Sequence, residues 1–408
     1  MTPQNSIVLI FTILCLCPQG HATIYNPQLN PVGEEEPFMA NTGVAAEGSA
    51  GATFFNPAAL AFLHENKLSA TGSYMGTNNQ TGNSSQVGGI NLSTESNGST
   101  MSPTLVAVLL PHNDWTFGFS ILQTEDRELD SHNYESLNIN ILGQNQTSEL
   151  WAGFSISKKA NERWSLGLST FAIRNTELQN DTVDVNTNTV TVMNRTSSSF
   201  YGMAFIGGVQ FKPDPSWILG LRIRSPFIQF FGSSDYFVYP NSADQVASQD
   251  SIATNYYFPF DFSIGGNYLL SKNVRVLCDI GYQLATSYEV SIDPNLGKPV
   301  GTSSTPRINF GSQVKLGPSH KLLLGALYNP STQQNESTSP NGTVSENFYG
   351  GSLGVEFIGK FVSATVGAFY YWSFGSIVET IPGTTNSGVF GSVQDRNFGG
   401  LFSVASNM

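Results

Sequence analysis

The chain has 408 residues, of which only 12% are charged, and it carries a net charge of −12. Such an acidic chain is a poor partner for nucleic acid. Its charged fraction is about half that of an ordinary soluble domain, with Ser, Thr, Asn and Gln in place of the missing charges, which suits strands joined by polar loops. No apolar run of about 18 residues exists beyond the N-terminus, which excludes a helical membrane protein.

The first 22 residues read as a secretory signal. Ile7 to Cys17 is an apolar run, followed by Pro18 and the small-x-small triplet Gly20-His21-Ala22. Met1 to Ser6 lack Lys and Arg, so a short membrane anchor is the rival reading, but the run is too short to span. Cys15 and Cys17 each follow Leu, where a lipoprotein signal would need a small residue. Cleavage after Ala22 would leave Cys278 as the sole cysteine, so no internal disulfide could form.

Residues 23–66 contain the acidic run Glu34-Glu35-Glu36 and a small-residue stretch with Asn56 and Pro57 at its centre. The stretch lacks alternation, and Pro57 removes a ladder donor, so it is no transmembrane strand. From residue 67 onward, two-residue alternation recurs. In 217–224, Trp217, Leu219, Leu221 and Ile223 share one face, with Arg222 and Arg224 on the other. In 258–268, Phe258, Phe260, Phe262, Ile264 and Tyr268 oppose Asp261 and Asn267. In 274–284, Val276, Cys278 and Ile280 oppose Arg275, Asp279 and Gln283. In 308–316, Ile308, Phe310 and Val314 oppose Asn309 and Lys315.

Fourteen strands are predicted, near 67–76, 103–110, 115–123, 147–157, 164–174, 199–211, 217–229, 257–270, 274–286, 306–316, 321–328, 347–357, 361–372 and 396–405. Their connections alternate. Six are short and rich in Pro, Gly, Asn and Lys; those between are long, with Asn, Ser, Thr and Gln. Many strands begin or end in Trp or Tyr. Short turns at one end, long loops at the other, apolar-out alternation, aromatic girdles and an even strand count define a bacterial outer-membrane barrel. Such a sheet must close, because lipid offers no partner for an edge. The expected fold is therefore all-β, a transmembrane antiparallel barrel over 67–408. Fourteen strands enclose a lumen too wide for wall side chains to fill, and residues 23–66 have the size of a plug.

The segment "AAEGSAGATFFNPAALAFLHENKLSATGSYM", Ala45 to Met75, resembles the hatch and first strand of the FadL-type long-chain fatty acid outer-membrane transporters. Asn56, Pro57 and Ala58 match that family's Asn-Pro-Ala signature, and "RWSLGLSTFAIR" at 163–174 is similar to a family strand. The resemblance implies a passive transporter with an N-terminal hatch over 23–66. Hydrophobic ligand would be captured outside, pass into an apolar luminal pocket, and leave sideways through a kink in the third strand. Gly118, within 115–123, is the residue there able to tolerate a bulge. The partners implied are a hydrophobic small molecule and outer-membrane lipid, with the protein a monomer and without a cofactor. Aromatic hydrocarbons, carried by some members, are the alternative ligand. A porin or a surface adhesin built on the polar loops is the alternative outside the family. Two features depart from the family pattern. The stretch 175–198, where members place an apolar outer helix, is polar here, and Phe402 stands six residues before the end. Phe230, Phe231 and the aromatics at 236–239 are the substitute capture surface.

Arg222, Arg224, Arg275, Arg307 and Lys315 fall on the predicted luminal faces. They would either hold an anionic headgroup or pair with Asp261, Asp279 and each other, as any polar interior requires. Arg174 enters the headgroup set by its place in the resembling strand. Asn56 is expected to fix the hatch turn. The five histidines show no metal-ligand spacing, and no Ser/His/acid set sits on a recognisable scaffold, so no enzymatic activity is expected.

Overall fold

The computed structural model describes residues 29–83, 93–134, 139–185, 190–240, 247–253, 255–289, 299–332, 343–380 and 388–407. The predicted signal lies outside them. Eighteen strands follow one another: β1 (Lys67–Asn83), β2 (Ser93–His112), β3 (Trp115–Tyr134), β4 (Ile139–Lys159), β5 (Trp164–Val185), β6 (Val190–Asp214), β7 (Trp217–Arg224), β8 (Ile228–Pro240), β9 (Ala247–Ala253), β10 (Asp261–Ser271), β11 (Val274–Gln283), β12 (Thr286–Glu289), β13 (Pro299–Thr302), β14 (Thr305–Lys315), β15 (His320–Asn329), β16 (Thr343–Ile358), β17 (Val362–Thr380) and β18 (Gly388–Asn407). Fourteen of them form a closed antiparallel ring: β1 to β7, β10, β11 and β14 to β18, with β18 pairing back onto β1. Each corresponds to one predicted strand.

Of the remaining four, β8 and β9 extend the wall at the long-loop end. β8 continues along β6 where β7 stops, Ile206 facing Arg224 and Met203 facing Ile228. The predicted strand 217–229 is therefore broken at Ser225-Pro226-Phe227. Pro226 has no N–H for the ladder, and Ser225 instead exchanges bonds with Phe205, its N–H reaching the carbonyl and its Oγ accepting from the amide, both at 2.9 Å. β9 returns along β8, and β12 pairs with β13 in a separate hairpin.

The predicted long loops are largely strand. The stretch 175–198 continues the β5–β6 ladder from Asn175–Phe200 up to Val185–Val190. Beyond the bilayer the apolar-out signal disappears, but Thr and Val still favour extended backbone, and a ladder already paired below continues upward.

The wall alternates as its sequence dictates. Along β7, Trp217, Leu219, Leu221 and Ile223 are exposed while Ile218, Gly220, Arg222 and Arg224 are buried. Outward rings stack in a girdle at the short-turn end, Trp164 on Phe211 at 4.2 Å and Trp217 on Tyr268 at 4.5 Å. A second set, Tyr328, Tyr349 and Trp372, lies higher on β15, β16 and β17. No helix among the described residues is long and apolar enough to cross a membrane. The crossing is made by strands that close into a ring, the condition lipid imposes.

Residues 32–61 lie inside this ring, nearly all of them buried. A 3-10 turn at Glu36–Met39 starts on Pro37 and ends at Ala40 and Asn41, both left-handed. A short helix, Ala52–Phe55, stops at Asn56, which adopts extended backbone before Pro57 opens a second 3-10 turn, Pro57–Phe62. Asn56 Oδ1 accepts the Ala58 amide at 3.1 Å and so caps that turn. Its Nδ2 donates to Val44 O at 2.7 Å and to Val209 O of β6 at 3.1 Å. One side chain thus ties the two halves of the luminal segment to each other and to the wall. The wall is smooth there. A β-carbon at Gly208 would fall on Asn56 Oδ1, and one at Gly167 on the Pro57 backbone. Gly208→Val should therefore expel the Asn56 turn without breaking the ring. The expected result is a heat-modifiable, folded barrel whose bilayer conductance exceeds that of the wild type.

Candidate functional site

The luminal segment is held by charge on several sides. Glu34 pairs with Lys67 at 2.6 Å, and Glu35 with Lys321 at 3.0 Å. Glu47 bridges Lys212 and Arg275, the latter at 2.7 Å. Asp279 accepts the amides of Gly43 at 2.6 Å and Val44 at 2.9 Å. Asn309 donates to Ala40 O at 2.7 Å. Arg275 is therefore committed to the segment rather than to a ligand.

Glu36 is different. It is fully buried, and Oε2 accepts the amides of Glu34 (2.9 Å) and Glu35 (3.1 Å) and the hydroxyl of Ser49 (2.9 Å). Oε1 finds no partner among the described residues. Burial, with the charges of Glu34 and Glu35 adding to it, pushes this carboxyl up to about 7, while its hydrogen bonds oppose the rise.

Above the segment lies an apolar cluster. Phe54, Phe55 and Leu60 from the segment meet Leu105, Leu109, Leu122, Trp151, Phe171, Ile206 and Phe227 from the wall. Trp151 is its centre, with Phe54 at 5.5 Å, Phe171 at 5.4 Å and Phe258 at 5.5 Å. Phe258 corrects the sequence reading, which set it on the lipid face with Phe260 and Phe262. The chain is strand only from Asp261 onward, and over 255–260 it is irregular, so the period is lost and Phe258 packs into the lumen. Tyr256 joins it, its hydroxyl donating to Glu149 at 2.9 Å; Trp151 Nε1 donates to the same carboxylate at 2.8 Å.

Polar residues border this cluster. Arg224, Asp261 and Gln283 occupy facing register positions on β7, β10 and β11, all buried. Asp261 pairs with Arg222 at 2.8 Å and takes a second guanidinium from Arg307, also at 2.8 Å. Arg222 is further used by the luminal segment, donating to Phe54 O at 3.1 Å. Arg224 lies over the Phe258 ring at 4.6 Å. Its Nε and one terminal nitrogen, together with both polar atoms of Gln283, find no partner among the described residues. Two guanidinium groups thus share one carboxylate, and Arg224 stands beside them at the edge of the aromatic cluster.

Two headgroup candidates are not in the lumen. Arg174 is exposed, because the inward face of β5 carries Ser169, Phe171, Ile173 and Asn175. Its place is the outward face near the long-loop end, where a long cation reaches water past lipid. Lys315 is exposed at the short-turn end of β14, beyond the enclosed part of the face it shares.

The third strand is irregular, but not at Gly118, which pairs regularly with Leu109 and Ser155. The register shift lies between Gln123 and Glu125, leaving Thr124 as the extra residue. At the same level β2 carries a shift against β1, where Leu105 faces Thr71 and Pro103 faces Gly72, leaving Thr104 over. Between these strands the ladder is missing over 98–104 and 123–129. Leu105, Leu122 and Trp151 at its edge belong to the apolar cluster.

The site is thus the interior of a transmembrane barrel, an apolar cluster with a guanidinium at its border that lacks a carboxylate of its own and a seam in the wall beside it. No known family profile matches the sequence, and no curated protein matches it either. Solved structures do. A Pseudomonas aeruginosa FadL homologue superposes with a TM-score of 0.70 at 13% identity, over 94% of this chain and 99% of that one. The Pseudomonas putida toluene transporter TodX gives 0.69 at 13% identity over 93% and 99%. The Ralstonia pickettii toluene transporter TbuX gives 0.61 at 13% identity over 93% and 99%. The fold is that of the FadL homologues and the hydrocarbon channels.

Glu36 sets a pH dependence of its own. Its carboxyl lies higher in the docked segment than in a released, solvated one, so the docked state binds the extra proton between about 4.5 and about 7. Docking is therefore strongest below that window and weakens as pH rises through it, by roughly 3 kcal/mol from this residue. Planar-bilayer recordings should show more frequent open events at pH 8 than at pH 5. Glu36→Gln should flatten that difference.

Proposed function

We propose that this chain is a passive bacterial outer-membrane transporter for hydrophobic molecules bearing an anionic headgroup, of the long-chain fatty acid class. The single observation behind this reading is Arg224. A buried guanidinium without a carboxylate of its own is costly, and a ligand carboxylate would supply the missing partner by charge-assisted hydrogen bonds. The apolar cluster beside it accepts the hydrocarbon tail. Gln283, one register position beyond Asp261, offers further donors and acceptors to the same headgroup.

In this reading residues 29–66 act as the plug. Asn56, Pro57 and Ala58 hold the plug against β5 and β6, and its displacement opens the way below. The ligand leaves the chamber through the seam between β2 and β3, whose edge belongs to the apolar cluster. A neutral aromatic hydrocarbon is the second reading. It is favoured by the ring-lined chamber of Phe54, Trp151, Phe171, Phe227 and Phe258, and by the likeness to barrels described as toluene transporters.

Arg224→Gln separates the two. For a fatty acid transporter, affinity for a labelled long-chain fatty acid should fall roughly 10- to 100-fold, the effect of losing a charged hydrogen bond. Toluene binding should not change, and thermal stability should hold or rise, since a buried charge has been removed. A wild-type protein that binds toluene but no fatty acid, with the variant behaving alike, would sink the carboxylate reading.

A further inference from the structure

The missing ladder between β2 and β3 has an unusual property. Below it Leu105 faces Leu122, and above it Asn97 faces Asp130. The two strands advance by the same number of residues across the gap, so neither has slipped. This holds although each strand gains one residue against its outer neighbour, Thr104 in β2 and Thr124 in β3. The two bulges match. Residues 98–104 and 123–129 would pair one to one, with Thr100 opposite Arg127 and Ser102 opposite Glu125, needing no change of register on either side. Such a gap is an unzipped ladder rather than a mismatch.

Two interactions hold it unzipped. The carbonyl of Asp126, which a ladder bond would use, accepts the Thr100 hydroxyl at 3.0 Å. Arg127, in the middle of the unpaired run, reaches past β2 and β1 to β18 and pairs with Asp395 at 2.8 Å. Asp395 is fully buried and is itself fixed. Its amide donates to Ser373 Oγ at 2.9 Å, and that hydroxyl donates to Glu346 at 2.9 Å. The anchor therefore belongs to β16, β17 and β18: the β17–β18 ladder is itself interrupted over 373–374 and 394–395, the Ser373 hydroxyl spans that interruption, and β18 stays paired to β1 at Asn79–Asp395. A tether from the unpaired run to a buried side chain two strands beyond its neighbour draws that run toward the lumen.

We infer that the β2–β3 seam is a zipper gate. It closes by in-register pairing of 98–104 with 123–129, and the Arg127–Asp395 ion pair is the catch that keeps it open. Arg127 and Asp395 are then positioning residues for lateral release, a role that rests on the transport reading above, whereas the zipper itself does not.

The test uses the full barrel in lipid nanodiscs and in cells lacking their own transporter. Arg127→Gln combined with Asp395→Asn removes the catch without stranding a buried charge. Amide hydrogen exchange in 98–104 and 123–129 should be fast in the wild type and slow roughly tenfold or more in the double variant, as backbone groups enter a ladder. Uptake of labelled long-chain fatty acid should fall several-fold while binding to the purified protein is unchanged. Arg127→Lys retains the ion pair and should keep both the fast exchange and the uptake. Should the double variant lose its heat-modifiable mobility, Asp395→Asn alone is measured in its place. Exchange that is equally slow on both sides of the substitution, or equally fast, overturns the gate. Slowed exchange in a barrel that never transports fatty acid leaves the gate standing and removes the transport reading instead.

Discussion

Lipid cannot hydrogen-bond a strand edge, and the rest of the molecule follows from that. Closure forces each strand to find two neighbours, and with fourteen of them the lumen is too wide for wall side chains to close. A second stretch of chain must then occupy the interior, and it brings its own backbone polar groups into a place where water is scarce. Asn56, Asp279, Asn309, Gln210 and Arg222 answer those groups one by one, each a wall or segment side chain bonded to a main-chain atom. The interior is polar because the segment's backbone makes it so.

The ion pairs show the same logic with a different consequence. Glu34 with Lys67 and Glu35 with Lys321 are largely enclosed, whereas Glu47 with Lys212 and Arg275 keeps more contact with solvent. Bonds like those of Glu47 hold position yet exchange readily for water. Glu36 is enclosed and pairs with no cation among the described residues. The segment is thus fastened at its rim by replaceable contacts and strained at its centre by one carboxyl whose charge its surroundings disfavour.

What could be read from the sequence is what lipid enforces. The period of two survives wherever one face meets hydrocarbon, so the fourteen crossings, their order and the inward aspect of Arg222, Arg224, Asp261 and Arg307 were legible. Where the constraint lapses, the reading lapsed with it. The strand extensions beyond the bilayer carry no apolar-out signal, so they passed for loops. Phe258 looked lipid-facing because alternation was extended past Asp261 into a stretch that is not strand. Arg174 was placed by likeness rather than by its own strand, whose inward residues Phe171 and Ile173 would have set it outside. Trp151 was not singled out, although alternation within 147–157 sets it on the face opposite Leu150. Glu149 and Tyr256 were not, because their meeting joins β4 to a coil a hundred residues away.

Hydrogen-bond accounting around the aromatic cluster separates structural charge from available charge. Glu149 and Arg224 are both buried, both ionisable and both beside the same rings, and composition alone would rank them equally. Glu149 has a full complement of donors: Tyr256, Trp151 and Thr124. Each of those donors would lose its partner with the carboxylate, so Glu149 is explained by what it organises. Arg224 organises nothing of the kind. Its neighbour Asp261 is already engaged by Arg222 and Arg307, and the ring of Phe258 compensates a guanidinium only in part. On the transport reading, an entering anion with an apolar body would supply the partner that Asp261 does not, which sets Arg224 apart from the better-bonded acid across the cluster.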